Sequence, residues 1–164
     1  MGPPRRKGHT EVAAIRIRGL HKRFDGRGQD VTALASLDLD VADGELLVLV
    51  GPSGCGKSTA LRLIAGLEQP TSGTIELDGR ELTGVPPQQR DVAMVFQGYA
   101  LYPHLTVREN MAFPLKMRRC SKAEQIARVD DIAKMLGLGD KLTRLPQELS
   151  GGEQQRVAMG RAMV

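Results

Sequence analysis

Continuous apolar runs predict two buried strands in this chain. Leu46–Val50 is apolar at every position, and Asp91–Phe96 contains a second apolar run. Such runs are typical of strands that are covered on both faces, as in a parallel sheet. The segment between these two runs, from Lys57 onward, places apolar residues at helical spacing, at Leu61, Ile64 and Ala65. The pattern therefore predicts a strand, a turn, a helix and, further along, a second strand.

Turn signals divide the rest of the first half into shorter strands. The segment from Val12 to Val41 predicts short strands around the Asp25-Gly26 turn, and Asp43-Gly44 marks a further turn. Thr74–Leu77 alternates between apolar and polar residues up to Asp78-Gly79, a sequence typical of hairpin turns. We expect these strands to form an antiparallel part beside the buried strands.

Three capping boxes begin predicted helices in the last third of the chain. Thr106–Glu109 begins a helix that Pro114 should kink or shorten. Ser150–Glu153 begins a helix that continues to the end of the sequence, and Ser121–Glu124 begins the helix between them. The apolar face of this middle helix is formed by Ile126, Val129, Ile132, Ala133 and Leu136. A helical part therefore follows the strands.

The composition is that of a folded globular protein with a modest charge. The hydrophobic fraction is 41% and the formal net charge is +4. Residues 1–10 are rich in Pro, Gly, Arg and Lys, which predicts a flexible basic tail. With three Phe, two Tyr and no Trp, we expect no nucleic-acid partner, because a stacking surface needs more aromatic rings. Cys55 and Cys120 form no CxxC pair, so neither zinc nor a disulfide is indicated.

A glycine-rich motif follows the first buried strand and predicts a phosphate-binding loop. Its eight residues match the pattern GxxxxGK[ST] and are Gly51, Pro52, Ser53, Gly54, Cys55, Gly56, Lys57 and Ser58. Inward-facing backbone N–H groups and a helix N-terminus would hold phosphates there. In such a loop Lys57 reaches the β- and γ-phosphates, the Ser58 hydroxyl binds Mg²⁺, and Thr59 contacts the α-phosphate side. The less specific interpretation is a strand-to-helix turn that binds nothing.

A second glycine motif begins the last predicted helix. In Leu149–Glu153 two adjacent glycines, Gly151 and Gly152, leave the first helical turn bare. Its exposed N–H groups and the Ser150 hydroxyl can therefore approach a second anion. Taken alone, the segment is equally well explained as a capped helix start.

Together these motifs resemble those of ABC transporter ATPases. GPSGCGKST is similar to the Walker A motif, Gln97 after a strand to the Q-loop, and LSGGE to the signature motif of that family. The resemblance extends over about residues 12–164, and the run from Arg90 to Leu115 resembles the ATPases of bacterial carbohydrate and glycerol-phosphate importers. It implies an α/β P-loop NTPase fold, RecA-like, with a parallel sheet, an antiparallel β subdomain and a helical signature subdomain.

The resemblance also implies ligands and partners. It implies that ATP and Mg²⁺ bind, that Gln97 touches the Mg²⁺ and the attacking water, and that Phe24 stacks on adenine. Ser150, Gly151, Gly152 and Glu153 would contact the ATP of a second, head-to-tail subunit. Tyr99–Met117 would contact the membrane-spanning permease subunits, which implies a peripheral location at the cytoplasmic face of the membrane. From the residues alone, Phe24 favours a core aromatic, and core packing explains Tyr99 and its neighbours equally well.

The resemblance divides the chain into a P-loop core at 11–97, a helical subdomain at 98–149 and a signature helix at 150–164. The family continues with an Asp that organises Mg²⁺, a catalytic Glu and a switch His, none of which follows the signature in this sequence. We therefore expect the rest of the domain to be absent and the chain by itself to be inactive and unstable. The rival hypotheses are a non-catalytic nucleotide-binding fragment and a soluble ABC-type ATPase.

The signature departs from the family at one position. Glu153 stands where Gln is commonest, which preserves the capping box but adds negative charge near the expected phosphate. We expect this charge to weaken the contact with the γ-phosphate.

Overall fold

The computed structural model describes residues 14–26 and 29–164. The predicted tail at residues 1–10 lies outside these residues. The chain forms two compact units, one up to Val92 and one from Ala93 onward. The first unit contains the strands and the first helix, and the second contains the remaining helices.

An antiparallel sheet of five strands forms the first unit. The strands are β1 (Ile15–Phe24), β2 (Val31–Leu34), β3 (Leu39–Val41), β4 (Ser72–Leu77) and β5 (Arg80–Glu81). The order is β2-β1-β4-β5, and β3 also pairs with β1. β2 pairs with the end of β1 and β3 pairs with its start, so one long strand organises the whole sheet. The antiparallel part predicted from the sequence is confirmed.

The β4–β5 hairpin turns at the predicted dipeptide. Asp78 and Gly79 have φ values of 52° and 72°, and Leu77 pairs with Arg80 on the other side of the turn. Positive φ at both central positions is the geometry of a two-residue type I′ turn, which Asp-Gly favours. The hairpin prediction is therefore confirmed.

The core of the first unit lies between the sheet and α1 (Lys57–Ala65). It is formed by fully or nearly fully buried side chains, namely Ile17, Leu20, Leu63, Ile75, Leu77 and Leu82. Of the three apolar positions predicted at helical spacing, Ala65 is buried and Ile64 packs against this core, whereas Leu61 is 48% exposed. Ala60 and Leu63 are buried in addition.

The two apolar runs predicted as buried strands are not hydrogen-bonded into a sheet. Residues 45–50 and 92–96 are assigned to no strand, and Leu46 and Val50 are each 89% exposed. A strand in a sheet needs a neighbour that accepts and donates its backbone hydrogen bonds. None of the residues that the structure describes is such a neighbour for these runs, so the expected parallel pairing is not observed.

Three α-helices form the second unit, and each begins at a predicted capping residue. They are α2 (Val107–Met117), α3 (Lys122–Met135) and α4 (Gly151–Met163), with N-caps at Thr106, Ser121 and Ser150. Short 3₁₀ turns occur at Pro87–Gln89 in the first unit and at Gly139–Lys141 and Pro146–Glu148 in the second. Pro114 lies inside α2, which nevertheless continues to Met117. The expectation that Pro114 shortens the helix was therefore wrong.

The three helices of the second unit share one apolar core. It includes Val107, Met111 and Leu115 of α2, Val129 and Ala133 of α3, and Val157 of α4. At Gly160 a Cβ atom would lie 2.6 Å from Met111 Cε, at the end of that flexible side chain. The glycine therefore leaves room for the Met111 side chain between α2 and α4.

Asn110 is a fully buried polar side chain whose hydrogen bonds hold the chain that precedes α2. Its Oδ1 accepts from Tyr102 N at 2.8 Å, and its Nδ2 donates to the carbonyls of Tyr102, Leu105 and Thr106. Because every polar atom is satisfied, burial of this amide is tolerated. Asn110 thereby fixes residues 102–106 against α2.

The Ser150–Glu153 capping box carries a perturbed carboxylate. Glu153 Oε2 accepts from Ser150 N at 2.8 Å and from Ser150 Oγ at 3.0 Å. Its Oε1 lies 3.3 Å from Lys141 Nζ. The hydrogen bonds from Ser150 chiefly, and the Lys141 ammonium in addition, lower the pKa of Glu153 to about 2.

We predict that Asn110→Ala lowers the unfolding free energy by about 3 kcal/mol, because it leaves the partly buried Tyr102 N–H and Leu105 carbonyl without their partner and removes a fully buried side chain. Denaturant unfolding followed by circular dichroism measures the change. The matched control is Gln155→Ala on the exposed face of α4. Equal stability of the two variants would contradict the structural role of Asn110.

We predict that Glu153 stabilises α4 in a pH-dependent way. Because its pKa is lowered to about 2 from an ordinary value of 4.5, the stabilisation is fully present above about pH 5 and is lost as the pH falls toward 2. The difference in unfolding free energy between the native chain and Glu153→Gln should therefore shrink over that range. Asp131→Asn, at an exposed carboxylate, is the control. A difference that does not change between pH 6 and pH 2.5 would refute this.

Candidate functional site

The glycine-rich loop lies at the N-terminus of α1, as the sequence predicted. Gly56, the last residue before the helix, has φ 96°, in the left-handed region that other residues rarely adopt. A Cβ at this position would also lie 2.6 Å from the carbonyl oxygen of Ala33 in β2. Two separate constraints therefore require glycine at this position: the left-handed turn into the helix and the close approach to β2.

The first turn of α1 has free backbone donors. No side chain caps this helix, and the described residues supply no acceptor for the N–H groups of Lys57, Ser58 and Thr59. The first N–H groups of a helix point along its axis and carry partial positive charge. The loop therefore presents a group of unpaired donors, which suits an anion such as a phosphate.

Lys57 folds back onto the loop. Its Nζ donates to the carbonyls of Gly51 and Pro52, each at 2.7 Å, and lies 3.4 Å from Cys55 Sγ. These two carbonyls hold the ammonium against the loop. A bound phosphate could replace them as the partner of Lys57, since a charge-assisted bond to phosphate is stronger than one to a neutral carbonyl.

Phe24 lies at the end of β1 and is 39% exposed, so its interpretation as a core aromatic was wrong. It pairs with Val31 of β2, two residues before the Ala33 carbonyl that contacts Gly56. Phe24 thus pairs with the strand that contacts the loop, two residues or roughly 7 Å along that strand from Ala33. The ammonium of Lys22 lies 4.5 Å from the ring centroid. One face of the ring is thus occupied by a cation, and stacking on a base remains a prediction.

The signature segment lies at the N-terminus of α4, with Gly151 and Gly152 both exposed. The Ser150 hydroxyl both accepts from Glu153 N at 3.4 Å and donates to the Glu153 carboxylate. The Glu153 charge is therefore already engaged by Ser150 and by Lys141, and its effect on a nearby anion is reduced. No local pattern connects Lys141 with Glu153, since it is twelve residues away and reaches the carboxylate from the 3₁₀ turn at Gly139–Lys141.

Gln97 lies in an exposed turn of the second unit, directly after the unpaired run 92–96. The Tyr99 N–H donates to Phe96 O at 3.0 Å across this turn. Within the same unit the Tyr99 side chain reaches the signature segment, since its hydroxyl would lie 3.4 Å from a Cβ placed on Gly151. The turn that carries Gln97 and the signature helix are therefore neighbours in this unit.

The segment Tyr99–Met117, predicted to meet membrane partners, borders a cavity of the second unit. The cavity has a volume of about 620 Å³. Its lining combines polar and apolar side chains from α2, α3 and the residues before α2, among them His104, Leu105, Phe113, Lys116, Lys122 and Gln125. Within residues 14–26 and 29–164, no helix combines the length and the hydrophobicity needed to cross a membrane.

Relatives with known names match nearly the whole chain. It is 54% identical over 153 residues to the sn-glycerol-3-phosphate import ATP-binding protein UgpC of Chromohalobacter salexigens, covering 93% of this chain and 40% of the relative. It is also 54% identical to UgpC of Salmonella typhimurium, of which it covers 42%. It is 50% identical to the spermidine/putrescine import ATP-binding protein PotA of Thermobifida fusca, of which it covers 40%. The chain thus spans about two fifths of the length of these relatives.

The fold and the family are shown by two further comparisons. The structure is similar to the dimeric structure of MJ0796, a bacterial ABC transporter cassette, with a TM-score of 0.82, 33% identity, and coverage of 91% of this chain and 68% of that one. A post-hydrolysis structure of MJ0796 bound to ADP and Pi matches equally well, with 32% identity. The predicted fold class is confirmed. Since the ABC transporter family model also matches residues 34–164, the chain belongs to the ABC transporter family.

Proposed function

We propose that this chain is the ATP-binding part of a subunit that drives solute import across a bacterial membrane. The observation that carries the proposal is the glycine-rich loop at α1, with its unpaired N–H groups and the Lys57 ammonium over the loop. A triphosphate needs such donors at several oxygens, and backbone N–H groups supply them without reorganisation. ATP is therefore the ligand that this site suits best.

Lys57 has the central role in this proposal. Its ammonium leaves the Gly51 and Pro52 carbonyls and binds the β- and γ-phosphates, while Thr59 contacts the α-phosphate side. The exposed Ser58 hydroxyl suits a magnesium ion because it is an oxygen ligand. Gln97, in the second unit, also carries an amide oxygen of the kind that magnesium binds, and its place at the same ion stays a prediction. Bound there, Mg²⁺ would neutralise phosphate charge. Gln97 would also orient the attacking water, and Lys57 would stabilise charge that develops on the γ-phosphoryl group.

The signature segment would complete the site of a second subunit in a head-to-tail pair. Ser150, Gly151 and Gly152 are supported in this role by their exposure at the N-terminus of α4. ATP that binds between two subunits favours the closed pair, and its hydrolysis opens the pair again. MJ0796, to which the chain is similar, is described as a dimer.

The solute and the membrane partner follow from the relatives. Most of the named relatives above import sn-glycerol 3-phosphate, so we propose a glycerol-phosphate or sugar solute. PotA, at 50% identity, is named for spermidine and putrescine, which makes polyamine import the competing assignment. We further propose that Tyr99–Met117, with the cavity beside α2, meets permease subunits, which would keep the chain at the cytoplasmic face of the membrane.

We predict that Lys57→Ala weakens binding of MgATP by about 10- to 100-fold, because a charge-assisted hydrogen bond to phosphate contributes about 1.5–3 kcal/mol. Isothermal titration calorimetry on the full chain measures the affinity. Lys134→Ala removes an exposed lysine of α3 and should bind MgATP as the native chain does. Equal affinity of the two variants, or no binding by the native chain, would overturn the proposal.

We predict that Glu153→Gln tightens ATP-driven pairing of subunits by up to about fivefold, the scale of an exposed charge interaction. The variant removes a negative charge near the γ-phosphate while Gln preserves the capping hydrogen bonds. Lys141→Met should act in the opposite direction, because it leaves the Glu153 charge without its neighbouring cation. Analytical ultracentrifugation with MgATP measures both. An unchanged or weaker association of Glu153→Gln would count against the proposed contact with phosphate.

A further inference from the structure

Two adjacent residues after Gln97 have a strained backbone. Tyr99 and Ala100 have φ values of 58° and 46°, in the left-handed region, and neither is glycine. Side chains with a Cβ rarely adopt this conformation, and such residues persist only where the surrounding structure fixes them. The strain therefore requires contacts that hold this turn in place.

Arg161 of α4 supplies these contacts. Its Nη1 donates to Ala100 O at 2.7 Å and its Nη2 donates to Tyr99 O at 3.3 Å. The guanidinium also lies 5.8 Å from the centroid of the Tyr102 ring. Two carbonyls that both point toward one helix match the rigid fork of an arginine, which lysine cannot reproduce.

The same turn also contacts the other end of α4. The Tyr99 hydroxyl lies beside Gly151, at a distance of 3.4 Å from the position a Cβ would take there. Gly151 and Arg161 are ten residues apart, which corresponds to about 15 Å along a helix. The turn is therefore bonded to one end of α4 through Arg161, while its Tyr99 side chain lies beside the signature segment at the other end.

We propose that Arg161 is a positioning residue that fixes the turn carrying Gln97 to the signature helix, so that Gln97 and Ser150–Gly152 move as one body. The inference rests on the proposed function, in which Gln97 faces the nucleotide of its own subunit and the signature faces the nucleotide of the other. When one nucleotide binds, Gln97 shifts. Arg161 and Tyr99 then transmit this shift to the signature segment, which faces the second nucleotide. Arg161 couples the two nucleotide sites without touching either.

Amide hydrogen exchange on the full chain without nucleotide tests whether Arg161 holds the turn at Tyr99 and Ala100. Arg161→Met should speed exchange at Tyr99, Ala100 and Tyr102 roughly tenfold, because the strained turn opens when two charge-assisted bonds are lost. Arg161→Lys should restore part of the protection. The control is Arg128→Met, which removes an arginine whose ionic partner among residues 14–26 and 29–164 is Glu124 on the surface of α3, and it should match the native chain. If the amide exchange rates of Arg161→Met lie within twofold of those of the native chain, Arg161 does not hold the turn.

A second set of measurements, with MgATP, tests the coupling. The native chain should show MgATP-dependent protection of the amides at Ser150–Glu153, and Arg161→Met should lose it while its affinity for MgATP stays within twofold. Retained protection in Arg161→Met would refute the coupling. If Arg161→Met partly unfolds the chain, faster amide exchange in α3 will show it. In that case Arg161→Lys decides whether the protection at Ser150–Glu153 depends on Arg161. If the native chain fails to bind MgATP, the proposed function fails, whereas the measurements without nucleotide still decide whether Arg161 holds the turn.

Discussion

The unpaired N–H groups at the start of α1 are the feature on which the rest of this account depends. A helix N-terminus without a capping side chain is costly unless water or a ligand satisfies its donors. Here Gly56 adopts a left-handed conformation against the Ala33 carbonyl, which positions the donors, and Lys57 lies over the same loop. Few ligands other than a phosphate chain use this many N–H groups together with an ammonium. The antiparallel sheet contributes by holding β2 against Gly56.

In the proposed function, the signature helix of the second unit needs a start that is both exposed and well formed. The Ser150–Glu153 capping box stabilises the start of α4, and Lys141 offsets the charge that Glu153 adds. Gly151 and Gly152 place no side chains over the backbone at that end of the helix. The N-termini of α1 and α4 therefore differ physically, since the first leaves its donors free and the second caps them in part. This difference suits the two proposed roles, in which the loop at α1 binds phosphates and the segment at α4 completes the site of a partner subunit.

The sequence predicted features that depend on local chemistry. The capping boxes at Thr106 and Ser150, the Asp78-Gly79 hairpin and the glycine-rich loop all follow from a few adjacent residues, and the structure contains each of them. Predictions that depend on distant neighbours were less successful. The run at Leu46–Val50 reads as a buried strand, but burial and pairing require other segments, and none of the described residues pairs with it. The contacts of Lys141 and Arg161 likewise join residues that no local pattern connects.

The central claim is that the backbone N–H groups of the glycine-rich loop bind a triphosphate. NMR spectra of the full chain, labelled with nitrogen-15, test it directly as MgATP, MgADP and AMP are added in turn. The account predicts that the amide resonances of residues 54–59 shift most with MgATP, less with MgADP and little with AMP, and that the resonances of α3 stay in place. Amide shifts in residues 54–59 that do not depend on the number of phosphates, or that are absent with MgATP, would contradict it.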